Sequence, residues 1–165
     1  MSKDGKLVGK VVVITGGASG IGQATARLLG RQGAAVAIVD ENEARGSLTT
    51  QQIFADGGQA IFIRADVSRA TDCQHAIHQT LATFGQINIL INNAGIMRRS
   101  TVLDIDEADW DRVMAVNVKS VYLMSRHTIP QMVKVGGGVI VNTASGWGLV
   151  GGRQAASYCA SKGAV

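Results

Sequence analysis

The sequence predicts an α/β fold: a doubly wound parallel sheet covered by helices on both faces. Three observations predict it. Short, uniformly apolar runs recur along the chain, segments of helical length separate them, and a glycine-rich turn joins the first run to the first helix. Apolar runs without polar alternation suit strands buried on both faces, as in a parallel sheet. Strand–helix–strand repetition with right-handed crossovers leaves few topologies, of which the doubly wound sheet is the simplest.

The elements follow in order. Val-Val-Val-Ile at 11–14 is the first strand, and a helix over 20–32 follows its glycine turn. Val-Ala-Ile-Val at 36–39 is the second strand, followed by a helix over 43–55. Ala-Ile-Phe-Ile at 60–63 is the third, with a helix over 71–84. Ile-Leu-Ile at 89–91 is the fourth, with a long helix over 107–134. Val-Ile-Val at 139–141 is the fifth. No repeat, low-complexity tract or linker interrupts the pattern, so residues 1–165 read as one domain.

Composition agrees with a compact chain. Hydrophobic residues are 46%, charged residues 17%, and there is one proline, which excludes a disordered class. The net charge is +4, but Lys and Arg are scattered. No basic run or aromatic–basic interleaving points to nucleic acid, and the charge reads as solubility. Residues 1–10 are polar and lack the apolar core of a signal peptide. No apolar run reaches the roughly 18 residues a membrane span needs. Cys73 and Cys159 match no metal or redox spacing, and read as reduced thiols in a cytoplasmic protein. His75 and His78 lack a third ligand and read as a solvated face; His127 has no partner, and no metal site is expected.

Two patterns carry chemistry. The first strand runs into Thr15-Gly16-Gly17-Ala18-Ser19-Gly20-Ile21-Gly22. Glycines permit a tight turn and a close backbone approach, and the helix that follows offers free N–H groups to phosphate. After a strand and opening a helix, this reads as a dinucleotide site; the bland alternative is a turn that only packs strand on helix. The second pattern is Tyr158 and Lys162, one helical turn apart on one face. A nearby ammonium favours the ionised form of a phenol, which suits a general acid or base. Alone, such a pair is common.

The spacing Thr-Gly-x-x-x-Gly-x-Gly together with Tyr158 and Lys162 resembles the short-chain dehydrogenase/reductase family, with a Rossmann-like fold. Further motifs fall in family order: Asp66-Val67 after the third strand, Asn92-Asn93-Ala94-Gly95 after the fourth, Asn117 in the long helix, and Ser145 after the fifth. The resemblance implies cofactor contacts at Gly16, Ser19, Gly20, Ile21, Gly22, Asp40, Asp66, Val67, Asn93, Gly95, Tyr158 and Lys162. In the family the residue at Asp66 bonds the adenine amino group and its neighbour packs on the ring. The implied catalytic set is Asn117, Ser145, Tyr158 and Lys162. Tyr158 is the implied acid or base. Lys162 tunes it and holds the nicotinamide ribose, Ser145 bonds the substrate oxygen, and Asn117 breaks its helix and holds a relay water. The implied reaction transfers hydride between NAD and a small alcohol or ketone. Taken singly, Ser145 could be a turn residue, Asn117 a helix polar residue, and Tyr158 a core-edge aromatic.

Asp40 closes the second strand, where an acid accepts from both ribose hydroxyls and repels a 2′-phosphate. Glu41 adds to that repulsion, and Ser19 stands where NADP-using relatives often carry a basic residue. Arg45 reads as a helical turn away, so NAD is expected and NADP is the alternative. Asp40 could also serve as a helix N-cap. Arg98 and Arg99 could favour an anionic substrate, or be solvated loop residues.

Relatives run to about 250 residues, so the sequence reads as a C-terminally incomplete member lacking the last strands. On that reading the fifth strand is an apolar sheet edge, the helix bearing Tyr158 has about nine residues and frays, and turnover is low. A homo-tetramer or dimer is expected for the full-length chain. The competing functions are an NADP-linked carbonyl reductase and a dinucleotide-binding fragment without catalysis.

Overall fold

The structure, a computed structural model, describes residues 5–165; the polar opening at 1–4 lies outside them. Five parallel strands form one sheet: β1 (Val11–Thr15), β2 (Ala35–Asp40), β3 (Gln59–Arg64), β4 (Ile89–Asn92) and β5 (Val139–Asn142). Their order across the sheet is β3-β2-β1-β4-β5. Val13 on β1 lies between Ala37 on β2 and Leu90 on β4. The helices are α1 (Gly20–Arg31), α2 (Glu43–Ala55), α3 (Ala70–Phe84), α4 (Glu107–Met114), α5 (Ser120–Lys134) and α6 (Ala156–Ala164).

Strand periodicity divides the core. Val12 and Ile14 point to one face and Val13 to the other. The first face packs on Ala26 of α1 and Ile53 of α2. The second packs on Cys73 and Ile77 of α3, and on Leu123 and Met124 of α5. Because both faces are covered, β1 and the inner positions of β2 are wholly buried, which is why they read as uninterrupted apolar runs. β5 is an edge strand, with Val139 and Val141 exposed.

After β3 the chain crosses to the other side of β1 to lay down β4. The winding therefore reverses between β1 and β4, and ligands of open α/β sheets bind in the crevice at the carboxyl ends of strands beside such a reversal. The loops after β1, β2, β3 and β4 converge there.

The helix expected over 107–134 has the local break that the resemblance implies at Asn117: a π-helical segment, Ala115–Lys119, where the Ser120 amide reaches back five residues to the Ala115 carbonyl. Such bulges appear often at functional sites. The N-cap of α2 is Asn42, whose side chain accepts from the Arg45 amide at 3.0 Å, so Asp40 is not the cap. Asp40 lies two residues upstream and accepts from the Asn42 amide instead, at 3.0 Å.

Candidate functional site

The crevice holds a cavity of about 380 Å³. Its walls include Gly16, Ser19, Gly20, Ile21, Gly22, Asp40, Asp66, Val67, Asn93 and Gly95, all of them singled out in the sequence. Gly16 has φ +65°, a left-handed conformation that favours glycine, and its amide bonds the Val39 carbonyl at 2.8 Å. At Gly22 a side chain has no room: a Cβ there would lie 2.0 Å from the Gly16 carbonyl oxygen. Asn93 locks the turn from the opposite wall, donating to the Thr15 and Gly16 carbonyls at 3.1 and 3.2 Å. Thr15 answers, its hydroxyl accepting from the Asn93 and Ala94 amides at 3.1 and 3.0 Å.

The opening of α1 suits an anion. Ser19 is its N-cap, yet its side chain caps no amide, and no acidic residue stands in the first turn. The exposed amide end and its partial positive charge face the cavity. Asp40 lies across from it, with Oδ2 accepting from the Ala18 amide at 3.1 Å. With Oδ1 held by Asn42, each Asp40 oxygen is fixed by one backbone donor and keeps acceptor capacity.

The Asp66 carboxylate is more heavily engaged. Its Oδ1 accepts from the Ser68 amide and hydroxyl at 2.9 and 2.7 Å, and Oδ2 from Arg112 Nη1 at 2.9 Å. Burial alone would raise the Asp66 carboxyl; the hydrogen bonds from Ser68 and Arg112 outweigh it and hold the group below its ordinary value. Cys73 is buried beneath this wall, its thiol donating to the Val67 carbonyl at 3.1 Å and pushed up to about 12 chiefly by burial.

Tyr158 and Lys162 sit on α6 and, like Ser145, are not among the residues that line the cavity. Lys162 is buried, its Nζ donating to the Thr143 carbonyl at 2.5 Å and standing 5.9 Å from the centre of the Tyr158 ring. Burial pulls the Lys162 ammonium below its ordinary value. The Tyr158 ring meets Trp147 edge-on, centroids 6.0 Å apart. Ser145 caps the short turn Gly146–Gly148, its Oγ accepting from the Trp147 amide at 3.2 Å. The hydroxyl can still donate its own hydrogen to a ligand.

Asn117 joins the Ile96 backbone to α6. It is buried in the π-helical segment, and its Oδ1 accepts from the Ile96 amide at 2.8 Å. Its Nδ2 donates to the Ile96 carbonyl and to Ser161 Oγ, each at 2.9 Å. Ser161 Oγ in turn donates to the Tyr158 carbonyl at 2.8 Å. Gly95 stands between the cavity and this network: a Cβ there would lie 3.5 Å from Asn117 Oδ1 and 3.6 Å from Lys162 Nζ. Asn117→Leu is expected to lower the unfolding free energy by about 3 kcal/mol, since it orphans the Ile96 amide and carbonyl and the Ser161 hydroxyl. Urea unfolding followed by circular dichroism measures it.

Residues 10–165 match the sequence profile described as short chain dehydrogenase. The chain belongs to that family. Among its relatives are a Thermotoga maritima protein described as an uncharacterized oxidoreductase and a cyclopentanol dehydrogenase of a Comamonas species. The first is 45% identical, over 95% of this chain and 62% of that protein; the second is 42% identical, over 98% and 64%. The crystal structure of an NAD+-bound xylitol dehydrogenase superimposes with a TM-score of 0.93 at 33% identity, over 96% of this chain and 62% of that one. The chain thus spans less than two thirds of the length of these short-chain dehydrogenases.

Sequence reasoning gave no role of their own to three polar residues at this short-chain dehydrogenase site. Thr15 and Ser161 bond backbone or side chains that only folding brings near. Arg112 enters the cavity wall from α4, and its only sequence signal is its place beside the buried Val113. Other candidates fall outside the crevice. Arg98 pairs with Asp109 at 3.0 Å, and Arg99 is an exposed loop residue. Arg45 is exposed on α2, and Cys159 turns away from Tyr158's partners to accept from the Gly152 amide at 3.2 Å. His75 and His78 line a shallow depression on α3 with Thr71 and Gln74. No helix among the described residues is long and apolar enough to cross a membrane.

Proposed function

We propose that this chain carries the cofactor-binding and catalytic residues of an NAD-dependent oxidoreductase acting on a small alcohol or its ketone. The observation that carries the proposal is Gly95. It lines the cavity, and a Cβ added there would meet Asn117 Oδ1 at 3.5 Å and Lys162 Nζ at 3.6 Å, so a ligand that reaches Gly95 stands beside these two members of the implied catalytic set.

The residues fit a dinucleotide. The uncapped end of α1 and the glycine turn suit the pyrophosphate, and the side-chain-free approach at Gly16 and Gly22 lets backbone reach it. The two fixed oxygens of Asp40 suit a vicinal ribose diol and oppose a 2′-phosphate, with Glu41 adding charge. Asp66 and Val67 suit adenine. When bound, the nicotinamide supplies the hydride acceptor or donor.

The chain's own residues supply the rest. Tyr158 exchanges a proton with the substrate oxygen. The Lys162 ammonium stands over the Tyr158 ring and, anchored on Thr143, stabilises negative charge there. Ser145 donates its hydroxyl hydrogen to the substrate oxygen as charge develops. Asn117 positions both the Ile96 backbone and, through Ser161, the first turns of α6. Unpaired Cys73 and Cys159 suit a reducing cytoplasm, and a dimer or tetramer is our reading of the whole protein.

Fluorescence titration with NADH and NADPH tests the reading. NADH is expected to bind at least about tenfold more tightly, because a like-charge contact costs several kcal/mol. Tighter NADPH binding overturns the NAD assignment in favour of an NADP-linked reductase. Absence of binding to both overturns the dinucleotide site.

A further inference from the structure

Among the described residues, Arg112 is the one basic side chain in the wall of the cavity. It projects from α4 and joins two separate loops. Nη1 donates to Asp66 Oδ2 at 2.9 Å and to Ser68 Oγ at 2.7 Å, and Nη2 lies 3.7 Å from Glu41 Oε2. The Arg112 side chain is 37% exposed and Glu41 70%, so the Glu41 contact adds little stability. The Asp66 contact is different in kind, because it decides where that carboxylate can still accept.

A carboxylate has about four acceptor positions on its two oxygens. Ser68 uses two on Oδ1, through its amide and its hydroxyl. Arg112 uses one on Oδ2. Ser68 is itself held by Arg112, whose guanidinium bonds its hydroxyl oxygen, so the carboxylate, the serine and the guanidinium form a closed ring. The capacity that remains is on Oδ2, the oxygen shared with Arg112, in a residue that lines the cavity beside Val67. A neutral N–H donor is the chemistry that completes it. The exocyclic amino group of adenine, its ring against Val67, is such a donor.

We propose that Arg112 is a positioning residue for adenine recognition: it holds the Asp66 carboxylate so that the remaining acceptor position on Oδ2 receives the adenine amino group. The inference rests on the dinucleotide reading above. Arg112 acts through Asp66, and its charge is offset by Asp66 and Glu41, so it offers a 2′-phosphate no unmatched cation.

The test compares reduced nicotinamide adenine dinucleotide with its hypoxanthine analogue, in which a carbonyl oxygen replaces the adenine amino group. Affinities are measured by fluorescence titration of wild type, Arg112→Met and Arg112→Lys. Wild type is expected to prefer the adenine form by about tenfold or more, the value of one hydrogen bond to a charged acceptor. Arg112→Met is expected to lose most of that preference, keeping less than about threefold, and Arg112→Lys, with one ammonium in place of a fork, to fall between. A purely structural role would weaken both ligands equally and leave their ratio intact, which overturns the proposal. So does a wild type that does not distinguish them. If Arg112→Met does not fold, an undiminished ratio in Arg112→Lys overturns it and a reduced ratio supports it. A wild type that binds neither ligand overturns the dinucleotide reading along with the inference.

Discussion

Gly22→Ala is expected to weaken NADH binding by more than about a hundredfold and to lower the melting temperature by about 6–12 °C, from a cost of about 3 kcal/mol. The added Cβ would lie 2.0 Å from the Gly16 carbonyl oxygen and 2.6 Å from Asn93 Nδ2. Neither neighbour can give way cheaply. The Gly16 carbonyl is backbone in a left-handed residue whose amide is tied to Val39, and Asn93 bonds two carbonyls at once. Relief therefore requires α1 to back away from β1, and the amides at the start of α1 move with it. Gly20→Ala is the control. Gly20 has φ +53° but nothing within 4 Å of an added Cβ, so the fold loses only left-handed strain of about 1–2 kcal/mol. Thermal unfolding by circular dichroism and NADH fluorescence measure both variants. A Gly22→Ala protein that melts and binds like wild type refutes the close approach and the role assigned to the turn.

The same region shows what a sequence discloses and what it withholds. β1 and β2 are legible because burial on both faces demands apolar side chains at every inner position, and that demand is local. The glycine turn is legible because Gly16 needs a left-handed φ and Gly22 has no space, constraints that fall on residue type. Asp40 is legible as an acid at a strand end, but its two amide partners are not: Ala18 lies 22 residues upstream, and only the pairing of β1 with β2 brings it near. Asn42 takes the cap because it is the last residue before α2, a choice the identity of Asp40 alone cannot decide. Arg112 illustrates the limit most plainly. It stands 46 residues from Asp66, and the two meet because β3 and α4 each end at the same edge of the crevice. The π-helical turn at Asn117 is hidden from helical periodicity, and only the family resemblance implies a break there. An α-helical pattern through that residue looks continuous, while the side chain is drawn to the Ile96 backbone and to Ser161 by contacts across 21 and 44 residues.

Tyr158→Phe is expected to reduce alcohol oxidation by at least about a thousandfold while leaving NADH affinity within about threefold, the range lost when a general acid or base is removed. The substitution deletes one oxygen and keeps the ring. The ring's edge-on contact with Trp147 and its place under the Lys162 ammonium both survive, so α6 keeps its packing. Lys162 keeps its bond to Thr143, and Asn117 its bond to Ser161. What disappears is the group proposed to exchange a proton with the substrate oxygen; phenylalanine has no proton to give or take. Single-turnover formation of NADH from a panel of secondary alcohols, with protein in excess over substrate, measures the step even where steady-state turnover is slow. Melting temperature and NADH affinity measured alongside separate chemistry from folding. A variant that binds, melts and oxidises like wild type removes Tyr158 from the mechanism. One that loses binding and chemistry together shows instead that the hydroxyl holds the cofactor. Only the selective loss agrees with a cavity that binds through the glycine turn and Asp40 and reacts some distance away, beyond Gly95.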